Sequence, residues 1–350
     1  WVNDTGSTVG YFDAPFAEKT IVHGGKQSMP LAYDNAGSPW YSETERVFDA
    51  PQDWAVHGAN TLVVHFQGRP SAFVELASGH IIMGAAGVDI WEAADEFRFA
   101  YKRLNGNGSI VARVESVVDT DPWVKTGVMI RASLAPGAPF AAVYMTGSNG
   151  VRYQARLAIN EAATSDTSVA TPEQIALREP VWIKLERSGS VFNGYYSTDG
   201  QSWTAMSWNP QTITMAADVY VGLAACSHSA GVLTTVEFSG VQTTGNVTGA
   251  WTVETIGPDQ PEGNVPDRLY VTVKDAAGKT KTVYHPSGEV ATLLAGWNQW
   301  QISFDDLTGI DLGGVSAMDI GIGNRDNPAA GGAGLIYIDD IAFGRAASAE

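Results

Sequence analysis

The chain has 350 residues, 17% of them charged, and a formal net charge of −17. A field of that sign repels phosphate backbones and anionic lipid surfaces, which counts against nucleic acid and membranes as partners. No apolar run approaches the roughly 18 residues of a membrane-spanning helix.

Glycine and aromatic residues are plentiful while charges are few, the balance of an all-β protein rather than a helical one. Thr61–Gln67 alternates, with Leu62, Val64 and Phe66 on one side and Val63, His65 and Gln67 on the other. The same two-residue period returns at 110–117, 128–132, 140–145, 182–187, 191–197, 219–225, 269–273, 300–304 and 335–343. Asn105-Gly-Asn-Gly108, Ser148-Asn-Gly150, Ser188-Gly189, Thr198-Asp-Gly200 and Ala277-Gly278 supply turns between these runs. Residues 182–202 form the clearest hairpin ladder, and only 172–177 reads as a helical turn. Cys226, the single cysteine, sits in the apolar run 221–226 and reads as a buried small hydrophobe, with no intramolecular disulfide open to it.

Gly68-Arg-Pro70 closes a first segment, and 243–266 has the Gly, Pro, Thr and Asn of a linker. The outer segments, 11–70 and 266–345, are each too thin for a sandwich, but joined they reach about 140 residues, an ordinary jelly-roll size. Inserting a domain through a surface loop costs little closure entropy. The expected architecture is therefore all-β, two β-sandwich (jelly-roll) domains with the second inserted into the first. The outer domain takes 1–70 plus 250–350, and the insertion takes 71–249.

Residues 86–101 (AGVDIWEAADEFRFAY), 121–134 (DPWVKTGVMIRASL) and 182–203 (WIKLERSGSVFNGYYSTDGQSW) resemble a bacterial family of the concanavalin-A-like lectin/glucanase superfamily. That family often carries the label "regulation of enolase protein". Residues 24–35 (GGKQSMPLAYDN), 296–307 (GWNQWQISFDDL) and 331–343 (GGAGLIYIDDIAF) resemble the galactose-binding-like jelly rolls of carbohydrate-binding modules. The Asp-Phe-Glu strand with which those modules often start is missing here.

Paired carboxylates in an apolar last strand are costly unless neutralised, which makes Asp339 and Asp340 the metal candidates. Hard oxygen ligands suit Ca²⁺, and the resembling modules hold structural calcium at this strand. The plainer reading has one Asp facing water and the other bonding a neighbouring loop. Sugar binding calls for flat rings against pyranose faces and a few placed polar groups. Tyr33, Trp40, Tyr41 and Trp54 lie in or beside loops of the outer domain, while His65, Gln67 and Arg325 are placed to line a concave sheet face. In the insertion, Trp91, Trp123, Lys125 and Arg131 carry the family resemblance and read mostly as architectural, with Trp123 half exposed.

Catalysis has thin support. The closely spaced carboxylate motif of the concanavalin-like glucanases is absent. Glu43 and Glu45 share a strand face about 7 Å apart, near the separation for paired-carboxylate hydrolysis. The sequence around them reads instead as a solvated edge strand guarded by charge. Glu115, Asp119 and Asp121 read as an acidic turn, and the six histidines show no metal-binding spacing. The expected function is a secreted bacterial, extracellular or cell-surface, non-catalytic protein whose partner is a polysaccharide or cell-surface glycan, with no organic cofactor. The alternatives are a structural cell-surface protein that self-associates or forms filaments, and a hydrolase or lyase with an unfamiliar site.

Overall fold

The structure, a computed structural model, describes residues 1–3, 5–11 and 13–345. The chain is almost entirely β, and it divides into two compact units, Trp1–Arg69 with Gly263–Glu350, and Pro70–Glu262.

The first unit has two five-stranded sheets, and each draws strands from both ends of the chain. In one, Tyr41–Gln52 pairs with Val315–Gly323, which in turn pairs with Leu269–Asp275. In the other, Ala333–Gly344 lies between Met29–Asp34 and Thr61–Gln67, with Asn298–Ser303 beyond. Alternation turns Leu62, Val64 and Phe66 inward against Val271, Ile320 and Ile336, and they close one apolar core. The loop residue Trp54 joins that core, 2% exposed and stacked on Phe343 at 5.6 Å.

The second unit is built on the strand Phe97–Val117, which runs through two layers. Its first half pairs with Asp218–Cys226 and its second half with Val181–Ser188, while Ser229–Ile256 follows it on the other side. Val128, Ile130, Val143 and Leu223 of one layer meet Ile110, Val114, Ile183 and Phe238 of the other. The expected hairpin of Val181–Ser188 with Val191–Ser197 is present, and so is the helical turn Pro172–Ala176, capped by the Thr171 hydroxyl.

Two expectations fail in this unit. Asn105-Gly-Asn-Gly108 is not a turn, because the strand continues through it with a register shift. Gly106 takes φ +82°, and a Cβ on Gly108 would lie 2.4 Å from the Thr244 carbonyl oxygen. The glycines permit the bulge that redirects the strand from one layer to the next. Residues 243–256 are likewise not linker but the latter part of Ser229–Ile256, paired to the same long strand. The second unit therefore extends to Glu262, beyond the expected end at 249.

Candidate functional site

One face of the second unit's front layer carries a separate set of side chains. On Lys125–Arg131, Phe140–Thr146 and Val151–Arg156, alternation points Lys125, Met129 and Arg131, then Phe140, Ala142 and Tyr144, then Arg152, Gln154 and Arg156 away from the main core. The small hairpin Ile90–Trp91/Ala94–Asp95 is pinned onto this face by Arg156 and Arg131. Arg156 Nη2 and Nη1 donate to the two Asp95 carboxylate oxygens at 2.6 and 2.7 Å, and Arg131 Nη1 adds a bond at 3.3 Å. Arg156 also donates to the carbonyls of Trp91 and Glu92. Burial pushes the Asp95 carboxyl up from its ordinary range, and the two guanidiniums oppose that shift.

Beside the pinned hairpin lies a cavity of about 260 Å³, lined by Asp89, Trp91, Trp123, Lys125, Arg152, Gln154, Ser165, Thr167 and His228. Trp91 and Trp123 are half-buried there. Lys125 Nζ pairs with Asp89 and lies 6.0 Å from the Trp91 ring centre. The Arg152 guanidinium lies 5.6 Å from the Trp123 ring centre. His228 joins the segments that bear the two tryptophans: its Nε2 is 3.2 Å from Asp89 and its Nδ1 3.0 Å from Asp121. Asp121 in turn accepts a bond from the backbone N–H of Trp123 at 2.8 Å. Gln154 donates to the Ile90 carbonyl and fixes the hairpin from below. The result is a polar recess with two indole walls, which suits a sugar ring bearing hydroxyls around its rim.

The sequence-predicted residues fall mostly elsewhere. Trp123 lines this cavity, and so do Trp91 and Lys125, which read as architectural in the sequence. Arg131 is wholly buried against Asp95, in the architectural role expected of it. Tyr33 and Trp54 belong to the first unit's core. The Tyr33 hydroxyl donates to the Val265 carbonyl at 2.9 Å, so neither ring is a surface platform. Trp40, at φ +71°, and Tyr41 are half-buried at the start of Tyr41–Gln52.

Glu43 does not lie on a solvated edge. Its strand is flanked on both sides, and its side chain is 4% exposed. It accepts a hydrogen bond from the Tyr270 hydroxyl at 2.9 Å, and Arg325 Nε lies 3.3 Å away. Arg325 also reaches Asp319 at 3.3 Å, and Glu45 is the cross-strand neighbour of Asp319. Burial and the adjacent Glu43 carboxylate raise the Tyr270 hydroxyl far above its ordinary value. His65 and Gln67 belong to the opposite sheet, so they do not share a face with Arg325.

Asp339 is the last paired residue before a register break that ends at Ala342, and Asp340 lies within that break at φ +41°. Asp339 accepts bonds from the backbone N–H groups of His23 at 3.0 Å and Gly24 at 3.2 Å. Asp340 lies 2.7 Å from His23 Nδ1, and the His23 ring stacks on His65 with centres 3.9 Å apart. The neighbours of both carboxylates are N–H groups and imidazoles rather than further oxygens. They do not fit a calcium ion. Among the described residues no group of three His, Cys, Asp or Glu side chains is placed to hold a metal ion.

Asp89, Arg152, Gln154 and His228 were not singled out in the sequence. The available signal was the polar alternation Arg152, Gln154, Arg156 in a strand whose every residue is buried. Cys226 is buried as expected, its Sγ donating to the Gly87 and Glu96 carbonyls, and burial pushes the thiol up to about 12.

No family model matches the chain, and no curated protein does. Among solved structures, a functionally unknown protein from Saccharomyces cerevisiae is 14% identical with a TM-score of 0.39, the match covering 53% of this chain and 97% of that one. The GH43 protein BlXynB from Bacillus licheniformis is 11% identical with a TM-score of 0.34, covering 62% of this chain and 51% of that one, so the chain spans about half its length. A seed lectin of Lotus tetragonolobus is 12% identical with a TM-score of 0.29, covering 56% and 94% respectively. Among the described residues no helix is long and apolar enough to cross a membrane.

Proposed function

We propose that the protein binds carbohydrate without cleaving it, outside the cell, through the cavity of the second unit. The observation that carries this reading is the pair of half-buried indoles, Trp91 and Trp123, facing one polar recess. Aromatic side chains are large apolar surfaces, and leaving two of them at a cavity wall makes physical sense when a ligand covers them. The polar groups around them supply both donors and acceptors for hydroxyls.

Binding fits the lining better than hydrolysis does. Glycoside hydrolysis requires two carboxyl groups flanking the scissile bond. The lining contains one, Asp89, already paired with Lys125 and His228. The partner is therefore a polysaccharide or cell-surface glycan held at one ring of its chain. An array of plant, algal and microbial oligosaccharides tests the reading. Retention of at least one glycan by the wild type, lost in the double variant Trp91→Ala/Trp123→Ala, is expected. Retention of none, or equal retention by both proteins, contradicts it.

A further inference from the structure

We infer that His228 is the positioning residue for both indole walls of this cavity and holds them only when doubly protonated, so that the sugar binds more tightly as pH falls. The inference rests on the reading of the cavity as a sugar site. The His228 imidazole lies between two carboxylates, with Nε2 3.2 Å from Asp89 Oδ2 and Nδ1 3.0 Å from Asp121 Oδ1. Each carboxylate also holds a backbone N–H beside one of the tryptophans. Asp121 Oδ1 accepts from Trp123 itself at 2.8 Å, and Asp89 Oδ1 accepts from Ile90, the residue before Trp91, at 2.7 Å. One ring thus links the two walls through two carboxylates.

Both ring nitrogens are turned to carboxylates, so His228 acts through Asp89 and Asp121 rather than on the ligand. The strength of that link depends on the proton count. An imidazolium carries an N–H on each nitrogen, whereas a neutral imidazole has one N–H and turns a lone pair to its second neighbour. A lone pair facing a carboxylate repels it, so loss of one proton releases either the Trp91 or the Trp123 side of the cavity. His228 takes φ +58°, a left-handed backbone conformation of the kind kept where a side chain must be aimed. Its side chain is 29% exposed, so protons reach it from solvent.

The other charged and titratable groups around the ring leave the link to His228. Lys125, from the neighbouring strand, bonds the other oxygen of Asp89. Among the described residues His228 is the one basic side chain within ion-pair reach of Asp121. Cys226, two residues before His228, is kept as a neutral thiol by burial. Arg152 faces Asp166, and Asp119 lies against Gly147. Between about pH 5 and pH 8, histidine is the side chain whose charge ordinarily changes.

The glycan array, read with the full chain at about pH 5.5 and about pH 8, tests this on neutral oligosaccharides, whose own charge does not change. Titration calorimetry of each retained oligosaccharide is expected to give a Kd at least about 5-fold lower at the acidic end. A ring that only braced the fold would move the unfolding temperature with pH and leave the ratio of Kd values at one. His228→Gln, whose amide donates on one side only, should bind about equally at both pH values and as weakly as the wild type at about pH 8. His80→Gln, which removes the other histidine of this unit, the partner of Glu237, should keep the preference. Proton–nitrogen correlation spectra of the wild-type imidazoles are expected to show His228 doubly protonated at the acidic end. Equal binding at both pH values, a preference that survives His228→Gln, or a neutral His228 throughout overturns the positioning role while leaving sugar binding at the cavity intact. Binding of no oligosaccharide at either pH removes the sugar reading along with it. The wild-type pH profile and spectra hold even where His228→Gln does not fold.

Discussion

Trp123 covers Arg152, its ring centre 5.6 Å from the guanidinium carbon, and the two are held together from different directions. Arg152 is the second residue of a fully buried strand, whereas Trp123 sits on a turn stapled by Asp121 and, through it, by His228. The indole wall is thus positioned by Asp121, behind it, and by the lining residue His228. Trp123→Ala is expected to weaken glycan binding by about 2 kcal/mol, roughly 30-fold in Kd, as loss of a central aromatic contact does. Titration calorimetry with any retained glycan measures it, and the unfolding temperature should move by only a few degrees.

Trp91 depends on a buried ion cluster. Asp95 is wholly buried between Arg156 and Arg131, and those bonds hold the hairpin that carries Trp91. Removing one partner of such a cluster leaves charge uncompensated in the interior and costs about 3–5 kcal/mol. Asp95→Asn should therefore lower stability by that amount in chemical denaturation and weaken glycan binding as well. A loss below about 1 kcal/mol would show that the cluster does not hold the hairpin.

The first unit carries a pH dependence of its own. His285 packs edge-on against Phe66 and Trp300, each ring centre 5.1 Å away, and burial pushes its imidazole down to about 4, against an ordinary value of about 6.5. The unfolded chain then binds a proton between those two values that the folded chain does not. Stability contributed by the neutral ring is complete above about pH 6.5 and is lost progressively as pH falls toward 4. His285→Phe should flatten the fall in unfolding temperature over that interval, as calorimetry at a series of pH values would show. An unchanged slope would assign the fall to other groups.

We also propose that the first unit folds without the second. Its core draws only on 1–69 and 263–350, and the Asn264 N–H donates to the Arg69 carbonyl at 2.9 Å, so the two chain ends already adjoin. Replacing 70–262 with a short Gly-Ser linker should leave a cooperatively unfolding protein with near-ultraviolet dichroism from the buried Trp54 and Trp300. A chain without a cooperative transition would mean that the outer strands need the insertion.

The sheets were legible because alternation in Thr61–Gln67 and Val181–Ser188 reports burial directly. The bulge at Asn105–Gly108 was not, since the same glycines serve a turn or a strand that changes layer, and only the partner strand decides between them. Single aromatics misled for a related reason: Trp54 and Trp123 both lie in loops, yet one fills a core and the other a cavity wall. Glu43 looked solvated because its neutralising partner, Arg325, is far along the chain. Arg152 escaped notice because an arginine inside an apolar strand gives no hint, from sequence, of whether its donors are satisfied.

The central claim, that the second unit's cavity holds a sugar ring between Trp91 and Trp123, is tested most directly by a crystal structure with a glycan the protein retains. The account predicts a ring stacked on one or both indoles, with polar contacts to Arg152 or Lys125. A glycan bound instead on the first unit, against Arg325 or the His23–His65 stack, with the cavity of the second unit holding only water, would contradict it.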